Sequence, residues 1–320
     1  MGQTAQGLPK TAQGLPKPRR SRVGARLWRS RYVYLMLLPV MAYFIIFKYW
    51  PMYWIRMAFY DYKLLKGFEG SKLVYFKHFT RFFNSPDFWI LLRNTLVLNA
   101  YSLLIVFPIP ILFALLLNEI RSNHFKKLVQ TVSYLPYFIS VMIVVSMINT
   151  LLSPSLGIVN KIIKSAGNEA IYFMGKEKYF RSIYIVSSIW QGTGWSAIVY
   201  LCALTSIDPS LYEAAIVDGA NRMQQTWHIT LPGIRSTIVI MFILQLGRMM
   251  NVGFEKVYLL QNDLNLGVSE VISTYLYKKG IVNANYSYST AIGLFNSVIN
   301  FSLILISNTV SRKVGEVSLW

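Results

Sequence analysis

The sequence predicts an all-α, polytopic integral membrane protein with about six transmembrane helices. Composition is the first observation: 54% of the 320 residues are hydrophobic and 14% are charged. The mean hydropathy of +0.41 is one that soluble domains of this length rarely reach. The second observation is a series of apolar runs, each near the roughly 20 residues that cross a hydrocarbon core as a helix. The alternating pattern of a membrane β-barrel does not occur, so helices are the spanning elements.

The apolar runs follow one another along the chain at 32–47, 95–117, 128–152, 183–204, 234–253 and 289–310. The second run contains Pro108 and Pro110, and the third contains Pro136 near its start. Because proline removes a backbone N–H and clashes with the preceding turn, we expect the second helix to kink. The outer segments between runs are aromatic and of mixed charge, and we expect short helices at the membrane surface in 51–89, 153–181 and 254–288.

Residues 1–30 precede the first apolar run. They repeat TAQGLPK twice and then turn basic, which predicts a disordered tail that lies against an anionic inner leaflet. The positive-inside rule places this tail in the cytoplasm, and six crossings bring the C-terminus to the same side. A nucleic-acid-binding arm is the alternative interpretation, but a basic tail beside a membrane helix favours lipid, so we expect no nucleic-acid partner.

A polar insert at 208–232 separates the fourth and fifth runs and carries strong helix signals. Asp208 followed by Pro209 predicts a helix start, and Asp218-Gly219 predicts its end. Asn221 can cap a second short helix, and Pro232-Gly233 breaks the chain before the next run. With a cytoplasmic tail, this insert also lies in the cytoplasm.

The two short helices of the insert predict a surface that another protein can approach closely. Ala214, Ala215, Gly219 and Ala220 are small, and Glu213 and Asp218 place negative charge at the edges. The alternative is a helix pair that lies on lipid, but such helices are usually rich in Lys and Arg. This insert has one such residue, Arg222, so the pattern favours a protein partner.

Sequence motifs for catalysis and for metal binding are missing. There is no phosphate-binding GxxxxGKS or GxxxxGKT loop, no GxSxG and no HExxH, and no histidine pairs with other ligands at metal-site spacing. The single cysteine, Cys202, excludes a disulfide within the chain, and we expect it to pack in the core. The sequence therefore predicts no enzyme, no catalytic residue, and no metal or cofactor bound by this chain.

The insert resembles the EAA loop of binding-protein-dependent ABC importer permeases. The match consists of Glu213-Ala214-Ala215, Gly219, and then Ile229, Leu231 and Pro232 at the spacing of that motif. The resemblance implies the type I ABC importer permease fold, in which this loop is a coupling helix that docks on a cytoplasmic ATPase and in which the glutamate pairs with an ATPase arginine. It assigns ATPase coupling to Glu213, Ala214, Ala215, Asp218, Gly219 and Ala220.

The resemblance extends over about residues 30–315, which are similar to the maltose-type, polysaccharide-importing branch of these permeases. Within that branch the chain looks most like the larger permease of alginate importers. The resemblance implies a transmembrane permease domain at 31–315 in a bacterial inner membrane. It also implies a second homologous permease, two copies of an ABC ATPase that bind ATP and Mg²⁺, and an extracytoplasmic solute-binding protein. It does not explain the duplicated heptad of the tail.

The cargo expected from this resemblance is an oligo- or polysaccharide. A net charge of +19 suits alginate or another acidic glycan, although basic charge also suits the inner leaflet, so a neutral oligosaccharide stays open. A secondary transporter is a remote alternative, since neither inverted repeats nor acidic coupling sites within the helices are apparent.

A set of polar and aromatic side chains in the fourth to sixth runs forms the predicted substrate path: Trp190, Gln191, Trp195, Gln245, Arg248, Asn251 and Asn296. Gln245, Arg248 and Asn251 recur at intervals of three, so we expect one helix stripe to carry them. Arg248 would receive a uronate carboxylate in a bidentate pair. The alternative is an arginine that snorkels to the headgroups. Trp190, Trp195 and Tyr200 could offer stacking faces for sugar rings.

Overall fold

A computed structural model of the protein describes residues 30–251 and 253–315. Residues 1–29, which form nearly all of the predicted tail, lie outside the described residues. The chain divides into two compact units at Trp54. The described part of the first unit contains helix α1 (Arg31–Phe44), which continues into a π-helical turn at Ile45–Tyr49. None of the α1 residues is buried, and its apolar side chains are exposed along its whole length, as expected of a helix in contact with lipid.

A 3₁₀ segment, Trp50–Phe59, leads into the second unit. The remaining helices of the described residues are, in order, α2 (Lys77–Phe83), α3 (Asp87–Tyr101), α4 (Pro108–Glu119), α5 (Asn123–Tyr134), α6 (Val141–Leu151), α7 (Ile158–Ser165), α8 (Glu177–Leu204), α9 (Pro209–Val217), α10 (Arg222–Gln225), α11 (Leu231–Gly233), α12 (Arg235–Leu246), α13 (Phe254–Leu260), α14 (Leu266–Ser269), α15 (Ile272–Tyr277) and α16 (Tyr286–Gly315). The outer segments do hold short helices, as predicted. The all-α membrane class is confirmed.

A small antiparallel hairpin is an element that the sequence does not predict. Strand β1 (Tyr60–Lys63) pairs with β2 (Gly67–Leu73), with Tyr60 opposite Leu73. Gly67 adopts a positive φ of 60° at the turn, which glycine tolerates best. The aromatic and polar residues of this stretch do not alternate cleanly, so no strand pattern was evident.

Three described helices are long and apolar enough to cross a membrane: Arg31–Phe59, Asp87–Glu119 and Tyr286–Lys313. The number rises to five if two bent helix pairs, Asn123–Phe138 with Val141–Leu151 and Arg222–Gly233 with Arg235–Leu246, are each one span. The fourth predicted run lies in α8, which has 28 residues but is not among these helices. Polar residues such as Gln191 and Thr193 interrupt its apolar sequence.

The second and third runs depart from regular α-helix in different ways near their prolines. Before Pro108 the helix takes a π-helical turn at Ser102–Val106, which lets the Phe107 N–H reach the Ser102 carbonyl at 2.9 Å. After Pro136 a 3₁₀ turn ends at Phe138, and α6 leaves at 96° to the preceding segment. The third run was predicted as one span, and it is instead a sharply broken pair.

Three apolar clusters form the core of the second unit. The first joins α3, α6, α8 and α13 through residues such as Leu98, Phe180 and Val257. The second joins α2, α3, α15 and α16, and the third packs α4 against α8 around Ala114, Ala197 and Tyr200. Tyr200 is only 2% exposed, so its predicted role as a sugar-stacking face is wrong. Cys202 is exposed, so the prediction that it packs in the core is also wrong.

Candidate functional site

The insert folds as a capped helix, as its sequence predicts. The Asp208 carboxylate accepts a hydrogen bond from the Ser210 N–H at 2.9 Å, and Pro209 opens α9. This backbone bond, together with the Ser210 hydroxyl, lowers the pKa of Asp208 below its usual value. The cap therefore stays ionised at neutral pH, where a carboxylate at a helix N-terminus is favourable.

The end of α9 is a left-handed turn at Gly219, where φ is +78°. The Gly219 N–H bonds to the Ile216 carbonyl at 3.0 Å, and the Ala220 N–H bonds to the Ala215 carbonyl at 2.8 Å. This pair of bonds is the Schellman arrangement, which satisfies the last carbonyls of a helix. A Cβ on Gly219 would meet no atom within 4 Å, so the need for glycine comes from the backbone conformation.

A capping box fixes the start of α10. The Gln224 N–H bonds to the Asn221 side chain at 2.9 Å, and the Asn221 N–H bonds to the Gln224 side chain at 2.8 Å. The buried Gln225 amide donates to the Ala220 carbonyl at 2.9 Å. These short-range bonds make the path from α9 to α10 rigid. The sequence predicts the Asn221 cap, but it does not predict its partner Gln224 or the bond from Gln225 to Ala220.

Two longer contacts hold the insert in place: one joins its two arms, and the other ties it to α4. The Tyr212 hydroxyl lies 3.0 Å from the Thr230 hydroxyl, so the two arms of the insert are joined. Arg222 pairs with Glu119 at the end of α4, with 3.8 Å between nitrogen and oxygen. The Arg222–Glu119 pair is exposed and contributes little to stability, but it links the insert to the second predicted span.

The outward face of the insert combines apolar side chains with unpaired acids. Val217 is 87% exposed and Met223 is 74% exposed. Glu213 and Asp218 are exposed, and neither has an ion-pair partner within 4 Å among the described residues. The predicted coupling residues thus lie together on one short helix and its turn. An exposed apolar patch with charged edges is typical of a surface that binds another protein.

The residues predicted for the substrate path fall into two groups. Gln245, Arg248, Asn251 and Asn296 lie at or near the end of α12. The Asn296 side-chain amide donates to the Asn251 side-chain oxygen Oδ1 at 2.7 Å, and the nearby Asn300 side chain accepts from the Met250 N–H at 2.9 Å. Helix α12 ends at Leu246 and a turn follows, so the predicted single helix stripe is wrong. Gln245 and Arg248 are exposed on either side of that helix end.

The second group lies on α8, beside the sharp bend between α5 and α6. The Gln191 amide donates to the Ile139 carbonyl at 3.0 Å, at the point where the helix is broken. The Trp195 ring stacks on Tyr137, with 4.6 Å between ring centroids and 5° between planes. Gln191 and Trp195 therefore stabilise the bend. Trp190 is 46% exposed and lines an apolar cavity of about 490 Å³ with Val144 and Ile183.

The sequence and the fold are both similar to those of membrane components of importers. Residues 106–316 match the family described as binding-protein-dependent transport system inner membrane component. The chain is 48% identical over 302 residues to the polygalacturonan/rhamnogalacturonan transport system permease protein YteP of Bacillus subtilis (strain 168), covering 94% of each chain. It is 46% identical over 296 residues to the protein LplB of the same organism, covering 92% of this chain and 93% of LplB.

A solved structure gives the same picture for the fold. The chain superposes with a TM-score of 0.85 and 42% identity on a chain of a bacterial alginate ABC transporter, solved in complex with an alginate pentasaccharide-bound periplasmic protein. The match covers 93% of this chain and 100% of that chain.

Proposed function

The chain belongs to the family of binding-protein-dependent transport system inner membrane components, and on this premise we propose that it is a pore-forming permease subunit of an ATP-driven importer of oligo- or polysaccharide. The observation that carries the proposal is the rigid insert, whose exposed face presents Glu213, Ala214 and Gly219 in the EAA spacing. Two similar proteins, the polygalacturonan/rhamnogalacturonan permease and the alginate ABC transporter, have names that state a glycan as the transported substrate.

Coupling to ATP hydrolysis is assigned to the insert. Two copies of a cytoplasmic ABC ATPase would bind ATP and Mg²⁺ and would receive α9 in a surface groove. The exposed apolar side chain of Val217 would lose water on docking, and Glu213 would pair with an arginine of the ATPase. Asp218 and Ala220 flank the left-handed turn that sets the direction in which α10 leaves. This chain itself contributes no catalytic group.

The remaining partners follow from the same proposal. A second homologous permease would complete the pathway, because the few membrane-spanning helices of a single chain leave little room for a glycan. An extracytoplasmic solute-binding protein would deliver the cargo. Both termini would be cytoplasmic, with residues 31–315 as the permease domain in the bacterial inner membrane. If the chain were a secondary transporter, it would purify without an ATPase subunit.

We propose alginate or another acidic glycan as the cargo. Polygalacturonan and alginate, which appear in the names of two similar proteins, are both uronate polymers. The net charge of +19 suits a polyanion. Arg248, exposed beside the end of α12, would pair with a uronate carboxylate, and Trp190 is exposed for contact with sugar rings. A neutral oligosaccharide is the second candidate, favoured by the amide pair Asn251–Asn296, which suits uncharged hydroxyl groups.

Reconstitution of the importer with its binding protein tests this proposal. We expect an acidic oligosaccharide to stimulate ATP hydrolysis and to enter liposomes, and a neutral oligosaccharide of the same length to do neither. Glu213→Ala and Gly219→Leu should weaken capture of the ATPase and abolish most uptake, because one removes the docking charge and the other strains the turn at φ +78°. Glu169→Ala removes an exposed acid outside the insert and serves as the control.

A different experimental result would contradict each part of the proposal. Wild-type ATP hydrolysis in both insert variants would exclude the docking role. Arg248→Gln should reduce uptake of the acidic oligosaccharide without changing basal ATP hydrolysis. Unchanged uptake would show that Arg248 only snorkels to lipid headgroups. Stimulation by the neutral oligosaccharide alone would favour the second candidate cargo.

A further inference from the structure

Two cavities lie between the start of α3 and the segment that runs from α14 to the start of α16. Their volumes are about 510 Å³ and about 460 Å³. They share three lining residues, Asp87, Tyr275 and Lys279, so they adjoin. None of these residues belongs to the insert or to the predicted substrate path.

Two cations at these cavities have no carboxylate partner. The Arg81 guanidinium carbon lies 4.8 Å from the centroid of the Tyr288 ring, and the Lys279 amine lies 5.0 Å from that of Tyr275. Among the described residues neither has an acidic oxygen within 4 Å. By contrast, Lys278 is paired with Glu270 at 2.7 Å. The aromatic faces hold Arg81 and Lys279 in place without neutralising their charge.

Two buried tyrosines line these cavities: Tyr275 lines both, and Tyr288 lines the smaller one. Tyr275 and Tyr288 are 8% and 3% exposed, and their hydroxyls lie 3.5 Å apart. Burial and the hydrogen bonds to Tyr288 and Asp87 raise the pKa of Tyr275, so its hydroxyl remains protonated. Because the rings are already covered, any ligand would be bound by the polar groups at the rim rather than by stacking.

The rim offers acceptors and donors beside the two cations. Asp87 is exposed and lines both cavities, Asn84 lines one and Asn283 the other. A carboxylate that lines the same cavity as two cations is unfavourable for a phosphate but suits a ligand that carries both hydroxyl and carboxylate groups. Sugar acids have this combination, since hydroxyls donate to Asp87 while carboxylates accept from Arg81 and Lys279.

The cavities also lie at a suitable place in the fold. Asp87 begins the span Asp87–Glu119, and Tyr286 begins the span Tyr286–Lys313. In the predicted orientation both of these ends face the outside of the membrane. A groove at this level meets a long glycan before it enters the membrane.

We propose that the two cavities form an outer glycan site, defined by Arg81, Asp87 and Lys279, that binds a uronate-bearing stretch of the substrate. This inference rests on the proposed function, because it assumes an acidic glycan as cargo. The outer site would hold sugar units of a long chain while other units occupy the path between the permeases. The sequence alone gave no signal for it, since its residues come from segments almost 200 positions apart.

Direct binding to the assembled importer in nanodiscs, without the solute-binding protein, tests the site. The probe is trigalacturonate, and maltotriose is the neutral control ligand. We expect calorimetry to detect trigalacturonate binding to the wild type. The double variant Arg81→Gln with Lys279→Gln should weaken it by about tenfold, since charged hydrogen bonds contribute on this scale. The matched control, Lys161→Gln with Lys164→Gln, removes two exposed lysines of α7 and should bind like the wild type.

A charge-preserving pair, Arg81→Lys with Lys279→Arg, should retain most of the binding and shows whether the double variant is merely misfolded. Equal binding by the wild type and the double variant would overturn the inference, as would absence of binding in the wild type or equal loss in the α7 control. If the double variant loses trigalacturonate binding only in nanodiscs that contain anionic lipid, the cavities bind a lipid headgroup instead.

Uptake assays distinguish failure of the proposed function from failure of the outer site. If the wild type imports no acidic glycan, the proposed function fails. If uptake persists while binding is unaffected by the variants, only the outer site fails.

Discussion

At the scale of single residues, Lys256 on α13 is the most unusual charged group of the described chain. It is 8% exposed, and its amine donates to the Ser188 hydroxyl at 3.4 Å. No carboxylate lies within 4 Å of it among the described residues. Burial lowers the pKa of Lys256 from 10.5 to about 8. An ammonium without a counter-charge is costly to bury, so Lys256 should destabilise the fold at neutral pH.

Lys256→Met should therefore raise the free energy of unfolding at pH 7, by on the order of 1–3 kcal/mol. In the wild type the folded pKa is below the unfolded one, so the unfolded chain binds more protons between about pH 8 and pH 10.5. Stability of the wild type should accordingly rise with pH across that window, and Lys256→Met should lack this rise. Thermal unfolding in detergent at pH 7 and pH 10 measures both effects.

Lys256→Arg is the control for this change. Arginine keeps its charge over the whole window, so this variant should be no more stable than the wild type at pH 7 and should also show no rise. A loss of stability in Lys256→Met at pH 7 would mean that the charge stabilises the fold, contrary to this account.

At the scale of elements, the packing of α8 against α5 depends on the absence of a side chain at Gly194. A Cβ at this position would overlap the backbone carbonyl of Ser133, whereas a Cβ at Gly192, two residues earlier on the same helix, would meet no atom within 4 Å. Gly194 is buried and Gly192 is half-buried. The two glycines look equivalent in the sequence but have different structural roles.

Gly194→Ala should force α5 and α8 apart and cost about 1–3 kcal/mol, as overpacking generally does. Gly192→Ala is the matched control, and it should be neutral or stabilising by up to about 1 kcal/mol because alanine favours helix. Thermal unfolding of the purified subunits in one detergent compares the two. Equal changes in thermal stability for the two variants would show that helix propensity alone determines the effect of alanine. The close approach of α5 and α8 would then be unimportant for stability.

The bend between α5 and α6 also depends on contacts with α8. Pro136 was visible in the sequence, but the 96° angle also depends on partners from α8. The Gln191 amide donates a hydrogen bond to the Ile139 carbonyl at the break, and the Trp195 ring stacks on the nearby Tyr137 ring. The residues in each of these contacts are more than 50 positions apart in the sequence. From the sequence alone, Gln191 and Trp195 could therefore be interpreted only as residues that contact sugar.

At the scale of the whole molecule, the basic tail should be needed neither for insertion nor for assembly. Deletion of residues 2–24 removes the duplicated heptad but keeps Arg26, Arg29 and Arg31 beside the first span. These charges should suffice to orient that span. We expect normal copurification of one distinct permease and two ATPase subunits, and normal uptake.

Membrane fractionation, pull-down of the ATPase and uptake measure these results. A second variant, in which Arg26, Arg29 and Arg31 are replaced by Gln in the full chain, should instead disturb orientation. Failure of the deleted chain to assemble would identify the tail as a contact element of the complex.

The sequence by itself determined the membrane class, the capped insert and the acidic and small residues that the insert carries, because these features depend on local patterns. Apolar length, the Asp208 cap and the positive φ at Gly219 each involve only a few neighbouring residues. Tertiary structure decided the features that depend on distant partners. It ended α12 before Arg248, buried Tyr200 against α4, and brought Arg81 to the rim that Lys279 also lines. Contacts between residues this far apart are set by how the helices pack, and a local pattern does not encode that packing.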